Sequence, residues 1–166
     1  MSRRDQIVMS PEEQLELLEA ERVAVVSSLG PRGWPHSMPM WFTLRPPAAD
    51  GPSDAPPKEI WVWTYAKSQK VRNLERDPRA TVLVETGTEY VELRGVQIEA
   101  EAEIVRETDR VAEFGRELTV RYTEGIESLE GDAAAALEAQ AAKRVAIRFQ
   151  PLRVATWDHR KLGGTY

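Results

Sequence analysis

Two strand-forming runs near the amino terminus are separated by a turn and nothing else. Residues 23–27 are rich in β-branched side chains, Gly30, Pro31 and Gly33 interrupt them, and a second apolar stretch follows at 35–44. A break that short joins antiparallel neighbours, because a parallel pair needs a crossover of about a dozen residues or more. The runs 144–149 and 152–157 repeat the arrangement and predict two final strands. Both pairs argue for an antiparallel sheet and against a parallel one wound with helices.

The middle of the chain asks for closure. Residues 60–65 set Ile60, Val62 and Thr64 against Trp61, Trp63 and Tyr65, so both faces of that strand carry bulk and neither suits open water. A further strand is predicted at 81–85. Beyond it, Val91 and Leu93 are the apolar members of an alternation before Gly95, whereas Val96, Ile98, Ala100, Ala102 and Ile104 are the apolar members after it. Side chains alternate with period two, so the change of parity predicts one extra residue, a glycine bulge at Arg94 and Gly95. Ser10, Pro11, Glu12 and Glu13 form a helix start, predicting a helix over 11–21 with Leu15, Leu18 and Arg22 along one side. Other helices are predicted at 67–77, from Thr108 onward through Val111, Phe114 and Leu118, and over 132–143. Residues 45–58 hold five prolines, one glycine and two aspartates, which predicts a surface loop between strands. The expected fold class is mainly β (α+β): an antiparallel barrel with peripheral helices.

A chain of 166 residues with 42% hydrophobic residues and five tryptophans fills one core, so residues 1–166 are expected to form a single domain. A net charge of −5 removes the broad attraction to phosphate polyanions, and no nucleic-acid partner is expected. The absence of cysteine excludes disulfides, thiolate metal sites and cysteine nucleophiles. No apolar run reaches the roughly 18 residues of a membrane span, and the first 14 residues lack a signal-like apolar core. A soluble, cytoplasmic protein without a membrane partner is the expectation.

No self-sufficient catalytic constellation is visible. His36 and His159 are the two histidines, no metal-ligand spacing occurs, and neither a nucleophile elbow nor a phosphate-loop pattern is present. Catalytic residues stay unassigned, no metal is expected, and the chemistry falls to a cofactor. Three runs attract attention. In residues 63–74 a strand ending in Trp63 and Thr64 leads into a helix that begins with Ser68 and carries Gln69, Lys70, Arg72 and Asn73. Helix-end amides and cations together suit a phosphate; equally, charged helix faces are commonly just solvated. In residues 35–42, Pro39 withholds an amide and predicts an edge or rim strand whose backbone could face a planar ring, though Met38, Met40 and Phe42 also read as plain core. The ending 157–166 reads either as a frayed basic tail or, given Trp157, Asp158 and His159, as a segment docking on a partner subunit.

The runs "PHSMPMWF", "AKSQKVRNLERDPRATVLVE", "YVELRGVQIEAEAEIV" and "VATWDHRKLGGTY" resemble the pyridoxamine 5′-phosphate oxidase-like superfamily, and within it the flavin/deazaflavin oxidoreductase B group. The resemblance spans residues 21–166, and Lys-x-Arg-Asn-Leu-x-x-Asp-Pro-Arg is its most specific element. It implies a six-stranded split barrel that dimerises, with two cofactor sites at the subunit interface. Ser68, Gln69 and Lys70 match the serine, basic residue and lysine that hold the cofactor's phosphate, Gln69 departing from the usual arginine. Arg72 and Asn73 belong to the same motif. Trp63 and Thr64 match the aromatic–threonine pair beside the ring. His36, Ser37, Met38, Pro39, Met40 and Trp41 match the strand along the ring's edge, while Trp157, Arg160 and Lys161 match late contacts from the carboxyl-terminal strand. The longer carboxyl-terminal arm of true pyridoxamine phosphate oxidases is absent. What the resemblance implies is a homodimeric oxidoreductase that uses coenzyme F420 to transfer hydride to a small unsaturated or conjugated substrate. The alternatives are flavin mononucleotide (FMN) in the same site, or a non-catalytic carrier of a planar ligand such as a tetrapyrrole or flavin.

Overall fold

The computed structural model describes residues 3–47 and 52–163. Helices α1 (Arg3–Gln6) and α2 (Pro11–Ala20) precede strands β1 (Val23–Leu29), β2 (Pro35–Arg45) and β3 (Glu59–Tyr65). Helix α3 (Gln69–Arg76), strands β4 (Arg79–Thr86) and β5 (Arg94–Val105), helices α4 (Thr108–Tyr122) and α5 (Gly131–Ala141) and strand β6 (Arg144–Asp158) follow. The six strands close into an antiparallel barrel in the order β1-β2-β3-β6-β5-β4.

Alternation fills the barrel. Ala24 and Val26 of β1, Phe42 of β2, Ile60 and Val62 of β3, Val82 and Val84 of β4, and Val145, Ile147 and Phe149 of β6 form one buried core. A helix closes each end. At one, Met9 with Leu17 and Leu18 of α2 enters the core; at the other, Val71 and Leu74 of α3 do. Helix α2 opens with a reciprocal cap, the Glu13 amide donating to Ser10 Oγ and the Ser10 amide to Glu13 Oε2. Its buried face is Gln14, Leu17 and Leu18, not the predicted Leu15, Leu18 and Arg22. Gln14 can be buried because its Nε2 donates to the Met9 and Asp54 carbonyls.

The two-faced strand predicted at residues 60–65 has both faces covered. Its inner face joins the barrel core, while Trp61 packs outside against Phe114 and Leu118 of α4, and Trp63 reaches Leu137 of α5 and its neighbours. Gly115 permits that contact: a Cβ there would lie 3.1 Å from the Trp63 ring.

Three expectations are corrected. Val91 and Leu93 are not strand residues: Tyr90–Glu92 is a 3₁₀ turn within the β4–β5 connection, which closes tightly on Gly87 at φ 106°. The predicted glycine bulge at Gly95 does not exist, since Glu85 pairs with Gly95 and Thr86 with Arg94 in unbroken register. Gly95 is small for another reason. The Trp157 ring of β6 lies across it, and a Cβ would fall 2.1 Å from that ring. The change of parity sits on the facing strand, where Glu99 pairs with Arg153 but Ala100 with Pro151, leaving Leu152 as the extra, exposed residue. The two predicted final strands are therefore one bent strand, β6, whose inward set passes from Phe149 to Val154 across that bulge.

Of the loop at 45–58, residues 48–51 lie outside the described residues. Its described part rests near α2, where Ala55 is buried and Lys58 pairs with Glu19. Residues 164–166 of the predicted tail also lie outside the described residues; before them His159–Leu162 forms a 3₁₀ turn.

Candidate functional site

The barrel is split between β2 and β3. Only Phe42, Thr43, Leu44 and Arg45 pair with β3, so among the described residues, 35–41 have β1 on one side and no strand on the other. Pro39 lies in this half-paired segment, as its missing amide predicts. At the top of the split the Tyr122 hydroxyl accepts the Phe42 amide and lies within donating distance of the Arg22 and Phe42 carbonyls.

Polar groups gather at the α3 end. Ser28, inward-facing on β1, accepts a hydrogen bond from Nδ2 of the fully buried Asn73 at 3.1 Å, and Asn73 Oδ1 accepts from Gln69 Nε2 at 2.8 Å. Lys70, in the first turn of α3, reaches back to β3 and donates to Thr64 Oγ1 at 3.0 Å. Among the described residues no carboxylate lies within ion-pair distance of its ammonium, unlike Lys58 and Lys161, which pair with Glu19 and Glu13. Burial lowers the Lys70 pKa from the ordinary lysine value. Ser68 stands at the cap position of α3 but makes no capping bond, and its buried hydroxyl has no partner. His36, opposite Ser28 in the β1–β2 register, has a buried Nδ1 that also lacks a partner. Leaving a buried polar group unsatisfied costs about 1–3 kcal/mol. An unpaired cation beside a helix start, with two orphaned polar atoms at the same barrel end, fits an anionic group bearing further hydrogen-bonding atoms. A separate pocket of about 410 Å³ lies against β1, β4 and β5, lined by Ser27, Thr81, Glu99 and Leu152 among others; His36, Thr64, Ser68 and Lys70 do not line it.

The structure brings His36, Thr64, Ser68, Gln69, Lys70 and Asn73 to this one end. Met38 and Met40 share the inward parity of His36 along the split, while Arg72 is an exposed residue of the same helix. Other candidates point elsewhere. Trp63 faces α4 and α5, with the Arg144 guanidinium 4.3 Å from its ring centroid and equally close to Tyr65. On the outer surface Ser37 shares a 2.8 Å hydrogen bond with Ser27, and Trp41 stacks on Tyr122 at 4.4 Å. Trp157, Arg160 and Lys161 lie at the α2 end, roughly 20 Å away along a strand of β1's length at about 3.3 Å per residue. Arg160 forks onto Asp158, and Lys161 bonds Glu13 and the Val8 carbonyl. The Arg160 hydrogen bonds hold the buried Asp158 carboxyl below its usual pKa. Sequence reasoning missed Ser28, Tyr122 and Arg144. Ser28 alone left a signal, a hydroxyl in the inward parity of Ala24 and Val26.

Among the described residues, no three His, Asp or Glu side chains are grouped as a metal ion needs, and no helix is long and apolar enough to cross a membrane. A comparison with curated proteins found no match. Among solved structures, a conserved hypothetical protein from Mycobacterium tuberculosis is 36% identical with a TM-score of 0.82, covering 100% of this chain and 95% of that one. An F420 reductase is 23% identical, with a TM-score of 0.58 over 84% of this chain and 93% of its own. The heme storage protein HutZ from Vibrio cholerae shares the fold at 16% identity and a TM-score of 0.60, over 88% of this chain and 94% of its own. The family model described as pyridoxamine 5′-phosphate oxidase matches residues 10–158. With that match and the barrel it describes, this chain belongs to the pyridoxamine 5′-phosphate oxidase family, which contains oxidoreductases.

Proposed function

We propose that this protein is an oxidoreductase that binds coenzyme F420 at the α3 end of the barrel and passes hydride to a small unsaturated or conjugated substrate. The observation that carries this reading is the unpaired Lys70 ammonium beside the unpartnered Ser68 hydroxyl, a ready receptor for a cofactor phosphate. In the bound state the deazaflavin would supply the hydride chemistry. Lys70 and Ser68 would hold the phosphate, and His36 would offer its free ring nitrogen along the split. Gln69 is committed to Asn73 and adds no second cation, which favours the deazaflavin over FMN. The F420 reductase with the same fold supports the choice; the heme storage protein is a reminder that this barrel also serves non-catalytic binding.

The separation of the candidate residues supports a homodimer. Trp157, Arg160 and Lys161 share a site with Lys70 only if the α2 end of one copy meets the α3 end of another. Fluorescence titration with coenzyme F420 and FMN tests the cofactor, with tighter F420 binding expected. Tighter FMN binding reverses the assignment, and no saturable binding of either removes it. Light scattering showing a stable monomer at micromolar concentration removes the shared site.

A further inference from the structure

We propose that Lys70 is a site of selective lysine acylation by acyl phosphates. The chain has five lysines. Lys58 and Lys161 pair with Glu19 at 2.9 Å and Glu13 at 2.6 Å. Lys67 and Lys143 are exposed. Lys70 differs from both classes. It is partly buried, its hydrogen-bond partner is the neutral Thr64 hydroxyl, and no carboxylate offsets its charge among the described residues. It also lies in the first turn of α3, a turn with no acidic residue, where the amide dipoles present their positive end. Partial burial disfavours the ammonium and lowers its pKa, and neither a carboxylate nor the helix dipole offsets that burial, so the neutral, nucleophilic fraction of the amine grows.

The same surroundings suit this reagent class. An acyl phosphate carries its own anion, and the Ser68 hydroxyl and the amides opening α3 can receive it while the acyl carbon meets Nζ. In the transfer the Nζ lone pair adds to the acyl carbon and a C–N bond forms. The C–O bond to phosphorus breaks, phosphate departs with that electron pair, and the proton lost from nitrogen goes to solvent. Nothing is oxidised or reduced. The product amide carries no charge, so on the reading given under Proposed function an acylated chain loses its phosphate anchor.

The test incubates the full chain, stripped of bound ligand, with acetyl phosphate and follows acetylation at each lysine by peptide mass spectrometry. Lys70 is expected to label at least severalfold faster than Lys67 or Lys143, because burial enlarges its neutral fraction and the helix start can seat the reagent's phosphate beside it. A rate at Lys70 equal to or below theirs overturns the proposal. Lys70→Arg should abolish the fast component and leave the other four rates unchanged; persistence of that component overturns it as well. Added inorganic phosphate should slow Lys70 alone. Selective labelling that phosphate fails to slow upholds acylation at Lys70 but overturns the anion seat at Ser68 and α3, and with it the phosphate site of the proposed function.

Discussion

Replacing Lys70 by methionine should separate ligand binding from stability. Methionine keeps an apolar stem of similar length at this partly buried position and removes the charge. If the ammonium anchors a phosphate, the lost charge-assisted contact weakens binding by about 1.5–3 kcal/mol, roughly ten- to a hundredfold. Stability follows a different sum. The hydrogen bond to Thr64 Oγ1 is lost, worth about 0.5–1.5 kcal/mol. Against it, removing a cation from the first turn of α3 relieves about 0.3–1 kcal/mol of dipole repulsion, and a partly buried charge no longer has to be desolvated. These opposing effects leave the net change within about 1 kcal/mol, a midpoint shift of roughly 2–4 °C at this chain length. The assay pairs a coenzyme F420 titration with thermal melts of the ligand-free protein, using the exposed Lys67→Met as control. Equal binding losses in both variants would reduce the effect to general electrostatics. A large fall in midpoint with binding unchanged would make Lys70 a structural lysine and refute the reasoning.

Three further outcomes follow from the geometry. Gly95→Ala places a methyl 2.1 Å from the Trp157 ring, which must retreat by roughly 1.5 Å to reach ordinary contact distance. It should cost about 1–3 kcal/mol in denaturant melts, most of it recovered when Trp157→Leu is added; strictly additive effects would contradict the contact. Phosphate-ligand affinity should fall as pH rises through the lowered Lys70 pKa, below the ordinary value of about 10.4, while the Lys70→Arg profile stays flat across that range. Asp158, held below the ordinary carboxylate range, contributes stability that is complete above its unfolded pKa and is lost as pH falls through the native one. Acid melts of Asp158→Asn should therefore lack part of the wild-type decline below about pH 4.

Much of the barrel was legible because period-two alternation is a local signal. Residues 60–65 announced a strand covered on both faces, and Pro39 announced the open side of β2. The bulge was misplaced for a physical reason. Val91 and Leu93 mimic the alternation of the strand that follows them, and the parity change they suggest belongs instead to Leu152 on the facing strand, which only pairing reveals. That Ser68, Gln69, Lys70 and Asn73 gather at one barrel end was legible through the motif around Lys70, whereas the position of Trp157 was not. Which barrel end a strand terminus occupies is set by topology, and nothing local to Trp157, Arg160 or Lys161 records it.

The half-paired β2 also bears on how the chain behaves when crowded with copies of itself. An open strand edge is a template on which another chain's strand can add, and a barrel ordinarily escapes that hazard by having no edges. Among the described residues this barrel keeps one, over residues 35–41. Pro35 and Pro39 sit there four residues apart, with the same parity, and a proline is tolerated beside a paired neighbour only where its nitrogen faces away from that neighbour. The open edge therefore lacks amide donors at two alternate positions. A second strand would find acceptors there without the reciprocal donors a ladder requires, whereas a compact ligand needs only one or two of the groups that remain. The prolines thus leave this edge a poor template for another strand.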